Sequence, residues 1–309
     1  MRLALALVVC VLGGCAELGV VSDGTSVSVG RPNAGYIIDA RRLPDHGVGY
    51  TTREVWLKRN NRYGTDEMID LITGVARRMA RHIKDVKIVI ADISSRTGGG
   101  AFAFHRSHQS GRDADFLYYM RDADGKPFEP DAMHQFDAHG RAIDGSGLTM
   151  DVPRTWRLVK ELLEAREATV QYIFIYEPLA KLLLEHAKAI GEPDALVAMA
   201  RKALRQPGDS ARHDDHMHVR IYCAADDRPY GCVDIGPMDL LVARQAEERA
   251  ELAALAPTRP PSVPPVKSAA DVWLEQADAP PAASAVELGA GLGSLLRTRA
   301  DRVDLRSWR

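Results

Sequence analysis

The chain has 309 residues, 46% of them hydrophobic and 27% charged, an ordinary balance for one soluble globular domain with extensions. Forty basic and 42 acidic residues leave a net charge of -2. That balance argues against a nucleic-acid partner, and no basic patch interleaved with aromatics appears.

The chain opens "MRLALALVVCVLGGCAEL": Arg2 is positive, Leu3 to Leu12 are apolar, and small residues lead to Cys15. The run is short for a membrane span and has the layout of a secretory signal. Leu12-Gly13-Gly14-Cys15 resembles a bacterial lipobox, which would make 1–15 a lipoprotein-type signal and Cys15 the lipidation site. An ordinary signal cleaved near Ala16 is the alternative. Either reading puts the protein outside the cytoplasm, in the bacterial periplasm. The lipobox reading adds a lipid anchor, with the outer membrane as one possible site. In that oxidising compartment Cys223 and Cys232, at the ends of "CAADDRPYGC", are read as a disulfide rather than a zinc pair.

Residues 16–30 are small and polar and read as a flexible linker; 31–237 have the texture of a compact domain. Thr65 is positioned to cap a helix carrying Met68, Ile72, Val75, Met79 and Ile83 on one face. Val86 to Asp92 ("VKIVIAD") reads as a buried strand. Pro153 opens a helix with Trp156, Val159, Leu162 and Leu163 as its apolar stripe. Thr169 to Tyr176 reads as a strand, then Glu177 to Gly191 and Asp194 to Arg205 as helices. From His216 to Cys223 the residues alternate: His216, His218, Arg220 and Tyr222 point one way, and Met217, Val219, Ile221 and Cys223 the other. Without a βαβ rhythm, this predicts an α+β fold with a mainly antiparallel central sheet and flanking helices. Residues 238–256 read as a further helix. Seven of the 17 prolines fall from Pro257 to Pro281, so 257–309 read as a Pro/Ala-rich disordered tail.

The densest polar cluster is "HRSHQSGRDADF", His105 to Phe116. His108 and Asp115 bracket Gly111, through which a loop can fold back so that both reach one point. His218 on the alternating strand is the natural third ligand, since a catalytic zinc takes three protein ligands plus water. His216 projects from the same face, placed to act on water or substrate. Each signal alone is weak, and the histidines of such a loop are often merely solvated.

"SHQSGRDAD" and "HDDHMH" resemble the two signature segments of the penicillin-insensitive murein endopeptidases, in the wider group of lysostaphin-type and D-Ala-D-Ala metallopeptidases. "GRPNAG", "ISSRTGGGAFAFHRSHQSGRDADF", "VPRTWRLVKELL", "VQYIFIYEPL" and "HDDHMHVRIYC" occur in the family's order over roughly Gly30 to Pro237. The resemblance implies a hedgehog/D-Ala-D-Ala-peptidase-like fold and a Zn2+ cofactor held by His108, Asp115 and His218. It also implies catalytic roles for His216 and His213, a substrate or second-metal contact at His105, and a Cys223–Cys232 disulfide. The implied substrate is peptidoglycan, cut at the D-alanyl–meso-diaminopimelyl cross-link, and no obligate protein partner is implied. The motifs also admit a zinc D,D-carboxypeptidase or dipeptidase, or a non-catalytic zinc-containing wall-binding protein. The Pro-rich tail lies outside the resemblance.

The remaining candidates have plainer readings. Asp113 would orient a ligand or bond the loop. Asp214 and Asp215 would orient imidazoles or cap a turn, and Asp92 and Arg96 would brace the loop or form an ordinary salt bridge. Gly98 to Gly100 would be a flexible lip of the cleft. His46, His82, His134, His139 and His186 would be surface or satisfied histidines.

Overall fold

A computed structural model of the chain describes residues 24–100, 105–208 and 210–255. The expected signal with Cys15 and the tail 257–309 lie outside them.

A hairpin of β1 (Val27–Arg31) and β2 (Ala34–Ile38) comes first. Residues 25–30, expected to be linker, are therefore partly strand. The sequence concealed it because the pattern is inverted: Ser28 is buried while Val27 is only half-buried. Ser28 N donates to Asp227 Oδ2 at 3.0 Å, and Arg112 Nε donates to Ser28 Oγ at 3.0 Å.

Short strands β3 (Arg41–Arg42), β4 (His46–Gly47) and β5 (Tyr50–Thr51) lead to helix α1 (Glu54–Arg59) and β6 (Tyr63–Gly64). No sequence signal marked α1, because Arg53 at its N-cap supplies no side-chain acceptor. Helix α2 (Asp66–His82) starts as expected, with Met68 N donating to the Thr65 hydroxyl. Its buried face, including Ile69, Ile72, Val75 and Met79, packs into the main core; each such side chain contributes about 1.5–3 kcal/mol on burial.

The apolar run at 86–92 is buried, but only β7 (Ile88–Val89) is a strand, parallel to β5. The run then changes neighbours. Ile90 bridges Phe116, Ala91 N donates to Asp115 O, and Asp115 N donates to Asp92 O. Shared between two partners, it forms a shorter strand than its composition predicts.

Strand β8 (Asp113–Leu117) follows, then β9 (Met120–Arg121), β10 (Pro127–Phe128) and β11 (Thr149–Met150). Asp151 caps helix α3 (Val152–Leu163) by accepting from Arg154 N, with Pro153 in the first turn. Strand β12 (Val170–Phe174) and helices α4 (Glu177–Ala189) and α5 (Asp194–Ala203) come next. The helix expected to reach Arg205 ends two residues early, because Leu204 and Arg205 form β13, parallel to β12. Strand β14 (His216–Ile221) and helix α6 (Asp239–Leu255) complete the described elements. Arg244 Nη2 ties α6 to the domain by donating to Ala165 O at 2.6 Å.

The described residues thus form a mixed α/β fold of six helices and several small sheets. The largest sheet has the order β13-β12-β14-β8; its last two pairings are antiparallel and the first is parallel. The alternation predicted for β14 is realised. Met217, Val219 and Ile221 are buried in the core, and His216, His218 and Arg220 occupy the opposite face. The registers align Arg205, Phe174, His218 and Asp115 in one row across the four strands. Among the described residues no helix is long and apolar enough to cross a membrane.

Candidate metal centre

Strand β8 carries Asp115 with no exposed surface, and β14 sets His218 directly opposite it. The loop before β8 returns His108 to the same point. Gly111 makes that return possible at φ 73°, where a side chain would press on Ile37. His108 itself has φ 73°, a left-handed conformation costing about 1–2 kcal/mol. Its amide donates to Asp113 Oδ2 at 3.1 Å, and its carbonyl accepts from the Ser94 hydroxyl.

Neighbouring acceptors fix which nitrogen of each ring is free. His108 Nδ1 donates to the carbonyl of Ile93, leaving the Nε2 lone pair 3.3 Å from Asp115 Oδ1. His218 Nε2 donates to Asp113 Oδ1 at 2.9 Å, leaving the Nδ1 lone pair 3.6 Å from Asp115 Oδ1. His216 Nδ1 donates to Asp215 Oδ1 at 2.6 Å, with Nε2 3.4 Å from Asp115 Oδ1. His105 bonds Asp92 through Nε2 at 3.0 Å and stands 3.8 Å from Asp115 Oδ2 through Nδ1.

Lone pairs converging on a carboxylate repel unless a cation or proton lies among them. Both Asp115 oxygens and His108 Nε2 are buried without a hydrogen-bond partner, so an uncompensated arrangement would be costly. Two imidazoles and a carboxylate form a donor set suited to zinc, so the residues fit such an ion. Among the described residues, those able to hold a metal form two groups, His105/His108/Asp115 and His213/His216/His218. Asp115, within reach of both, joins them.

The electrostatics separate the rings. Burial and the nearby His108 push His218 down to about 3, keeping it neutral. Burial alone would lower His216 too, but Asp115 and Asp215 override it and raise His216 to about 10. Burial followed by the His216 charge lowers His213, whose Nδ1 is within hydrogen-bonding distance of Ala211 O at 2.8 Å. Despite burial, Arg220 and His218 hold Asp113 well below the carboxylate range.

His108, Asp115, His216 and His218 therefore converge as expected. His213 stands beside them, its ring 5.1 Å from His216 and 5.5 Å from His218. The His105 ring is tilted against that of His108, their centroids 4.3 Å apart. Asp113 bonds the loop through the His108 amide and also accepts from the His218 ring. Of the two candidate orienters, Asp215 holds His216, whereas Asp214 accepts from Gln135 Nε2 at 3.3 Å. Asp92 braces the loop through His105, with Arg59 rather than Arg96 as its salt-bridge partner at 2.8 Å. The glycines expected to form a flexible lip are tied down in part: Gly99 N donates to Gln109 O, and Gly98 bridges Tyr36. His134 lies between Asp131 and Asp144, a satisfied histidine. Cys223 and Cys232 are disulfide-bonded. The Ile93 carbonyl was beyond sequence reasoning, because a backbone acceptor leaves no residue signature.

The centre lies in a cleft of about 940 Å³, walled by Tyr172, Phe174, Arg205 and Arg220 beside His213 and His216. Groups able to hold a metal, bordered by a cleft and backed by further imidazoles, have the form of a hydrolase site rather than a closed structural one. A family model described as penicillin-insensitive murein endopeptidase matches residues 28–240, and the chain belongs to that family of peptidases. Proteins named penicillin-insensitive murein endopeptidase are similar to it. The Haemophilus influenzae protein is 26% identical over 204 residues, and the alignment covers 66% of each chain. That of Pectobacterium atrosepticum is 28% identical over 211 residues, covering 66% of this chain and 67% of the relative. That of Klebsiella pneumoniae (strain 342) is 26% identical over 253 residues, covering 79% and 82%. The chain thus spans about two thirds of the length of the first two relatives.

Proposed function

We propose that the protein is a zinc-dependent murein endopeptidase hydrolysing D-alanyl–meso-diaminopimelyl cross-links, with His108, Asp115 and His218 as metal ligands. The observation that carries this reading is the convergence of His108 Nε2 and His218 Nδ1 on Asp115, each ring locked in the tautomer a ligand needs. Zinc held there would polarise the scissile carbonyl and lower the pKa of water toward about 7.

The chain's own groups do the rest. His216, held through Nδ1 by Asp215, is placed to pass a proton to the leaving amine and to hydrogen-bond the developing oxyanion. His213 is kept neutral and accepts from substrate or water through Nε2. Their environments push the two pKa values apart, the usual mark of an acid and its partner base. His105, held by Asp92, contacts substrate or a second ion at the rim. No serine nucleophile takes part, so a β-lactam finds nothing to acylate.

The proposed organisation is a hedgehog/D-Ala-D-Ala-peptidase-like domain over 31–237, preceded by an export signal and lipidated at Cys15 in the periplasm. Digestion of purified sacculi followed by muropeptide separation tests the reading. Cross-linked dimers should disappear as monomers grow, with chelator blocking the reaction and penicillin leaving it unchanged. Dimers that persist while monomers lose terminal alanine would assign a carboxypeptidase instead.

A further inference from the structure

The row Arg205–Phe174–His218–Asp115 places a cation on the cleft wall two strands from a proposed zinc ligand. Adjacent strands lie about 4.8 Å apart, so Arg205 stands roughly 10 Å along the sheet from His218. The space between is floored by aromatic rings. Phe174 lies 5.3 Å from the His218 ring, and Tyr172 stacks on Phe174 at 5.0 Å. The Arg205 guanidinium sits 5.9 Å over Tyr172 and borders the cleft.

The other arginine of this sheet face is committed. Arg220 Nε donates to Asp113 at 2.7 Å. Arg205, an exposed residue, donates to the Lys202 carbonyl at 3.1 Å, and Asp239, the acid that senses its charge, is ion-paired with Lys202 at 2.7 Å. A guanidinium resting on an aromatic face, with no bonded carboxylate among the described residues, is arranged to take a carboxylate from a ligand.

We propose that Arg205 binds a free carboxylate of the substrate, two to three residues' length from the scissile bond, and so selects acid-terminated stem peptides. The proposal rests on the endopeptidase reading above. In an extended substrate that length spans about 7–10 Å, matching the row. Past the scissile amide, the cross-linked diaminopimelate carries its own carboxylate beside the scissile nitrogen, then an aliphatic chain followed by the terminal D-alanine carboxylate. The chain lies on Phe174 and Tyr172, and the carboxylate meets Arg205.

The test uses cross-linked tetrapeptide dimers whose acceptor stem ends in a carboxylate or a carboxamide, with wild type, Arg205→Gln and Arg205→Lys. Wild type should show a KM about tenfold lower for the acid. Arg205→Gln should lose that preference, with the loss falling on KM more than on kcat, and Arg205→Lys should recover part of it. Calorimetry with the uncross-linked acid and amide tetrapeptides reads the same preference as binding, whether or not the dimer is cut. Failure to cleave either dimer would end the endopeptidase reading alone. Equal binding of acid and amide to wild type, or a preference surviving in Arg205→Gln, would overturn the carboxylate site.

Discussion

His218 faces Asp115 directly across the β14–β8 pair, its Nδ1 3.6 Å from the Asp115 Oδ1. Cross-strand partners are held by the ladder hydrogen bonds themselves, so the separation of these donors is set by backbone rather than by mobile loop. His108 alone arrives on a loop, and that loop is pinned at its amide, carbonyl and ring.

His108→Ala and His218→Ala should each lose stoichiometric zinc by elemental analysis. His216→Ala should retain zinc while turnover falls about 10²–10⁴-fold, the usual worth of a positioned acid or base. Full zinc occupancy in purified His218→Ala would overturn the ligand assignment.

Asp113→Asn keeps the shape of a side chain that bonds His218, Arg220 and the His108 amide, but removes its charge. The His218 tautomer is then no longer enforced, and zinc affinity should drop about 10–100-fold in chelator competition. The melting temperature should fall as well, since Arg220 loses its partner. Unchanged affinity would show that Asp113 serves stability alone.

His134 offers a pH test away from the cleft centre. Burial disfavours its charge, but hydrogen bonds to Asp131 and Asp144 prevail and raise its pKa. A raised folded pKa gives a stabilisation fully present below the unfolded value of about 6.5 and lost as pH rises through the folded value. The Tm advantage of wild type over His134→Gln should therefore be widest near about pH 6 and close by about pH 9. A gap that does not change across that range would mean the pair carries no charge-dependent stability.

Reducing Cys223–Cys232, or making Cys232→Ser, should cost about 2–3 kcal/mol in urea unfolding, the loop-closure entropy of a short ring. The neighbouring contacts at risk are Cys223 N to Asp234 and the Val233 to Gly30 pairing with β1. An unmoved midpoint under reductant would contradict this.

What was legible in the sequence follows residue chemistry with a period. The alternation around His216 and His218 announced both a strand and its polar face, and Thr65 announced the start of α2. The hairpin at Val27 was illegible because Ser28, not a valine, is its buried residue, held by Asp227 and Arg112 from far along the chain. The break in the 86–92 run was equally hidden, since it depends on where β8 lies. In the site, the candidate residues and their spacing could be read directly. Their tautomers could not, because those depend on the Ile93 carbonyl and on Asp215 and Asp113 in the assembled fold.

Asp113 and His218 are 105 residues apart in the chain yet hydrogen-bonded in the sheet. A ribosome must therefore complete most of the domain before β14 exists, and until β14 docks on β8 only part of the donor set has been assembled. With the proposed ligand set, an ion would be taken up by the finished protein rather than by the growing one. The place where the chain finishes folding then decides which pool of metals it samples.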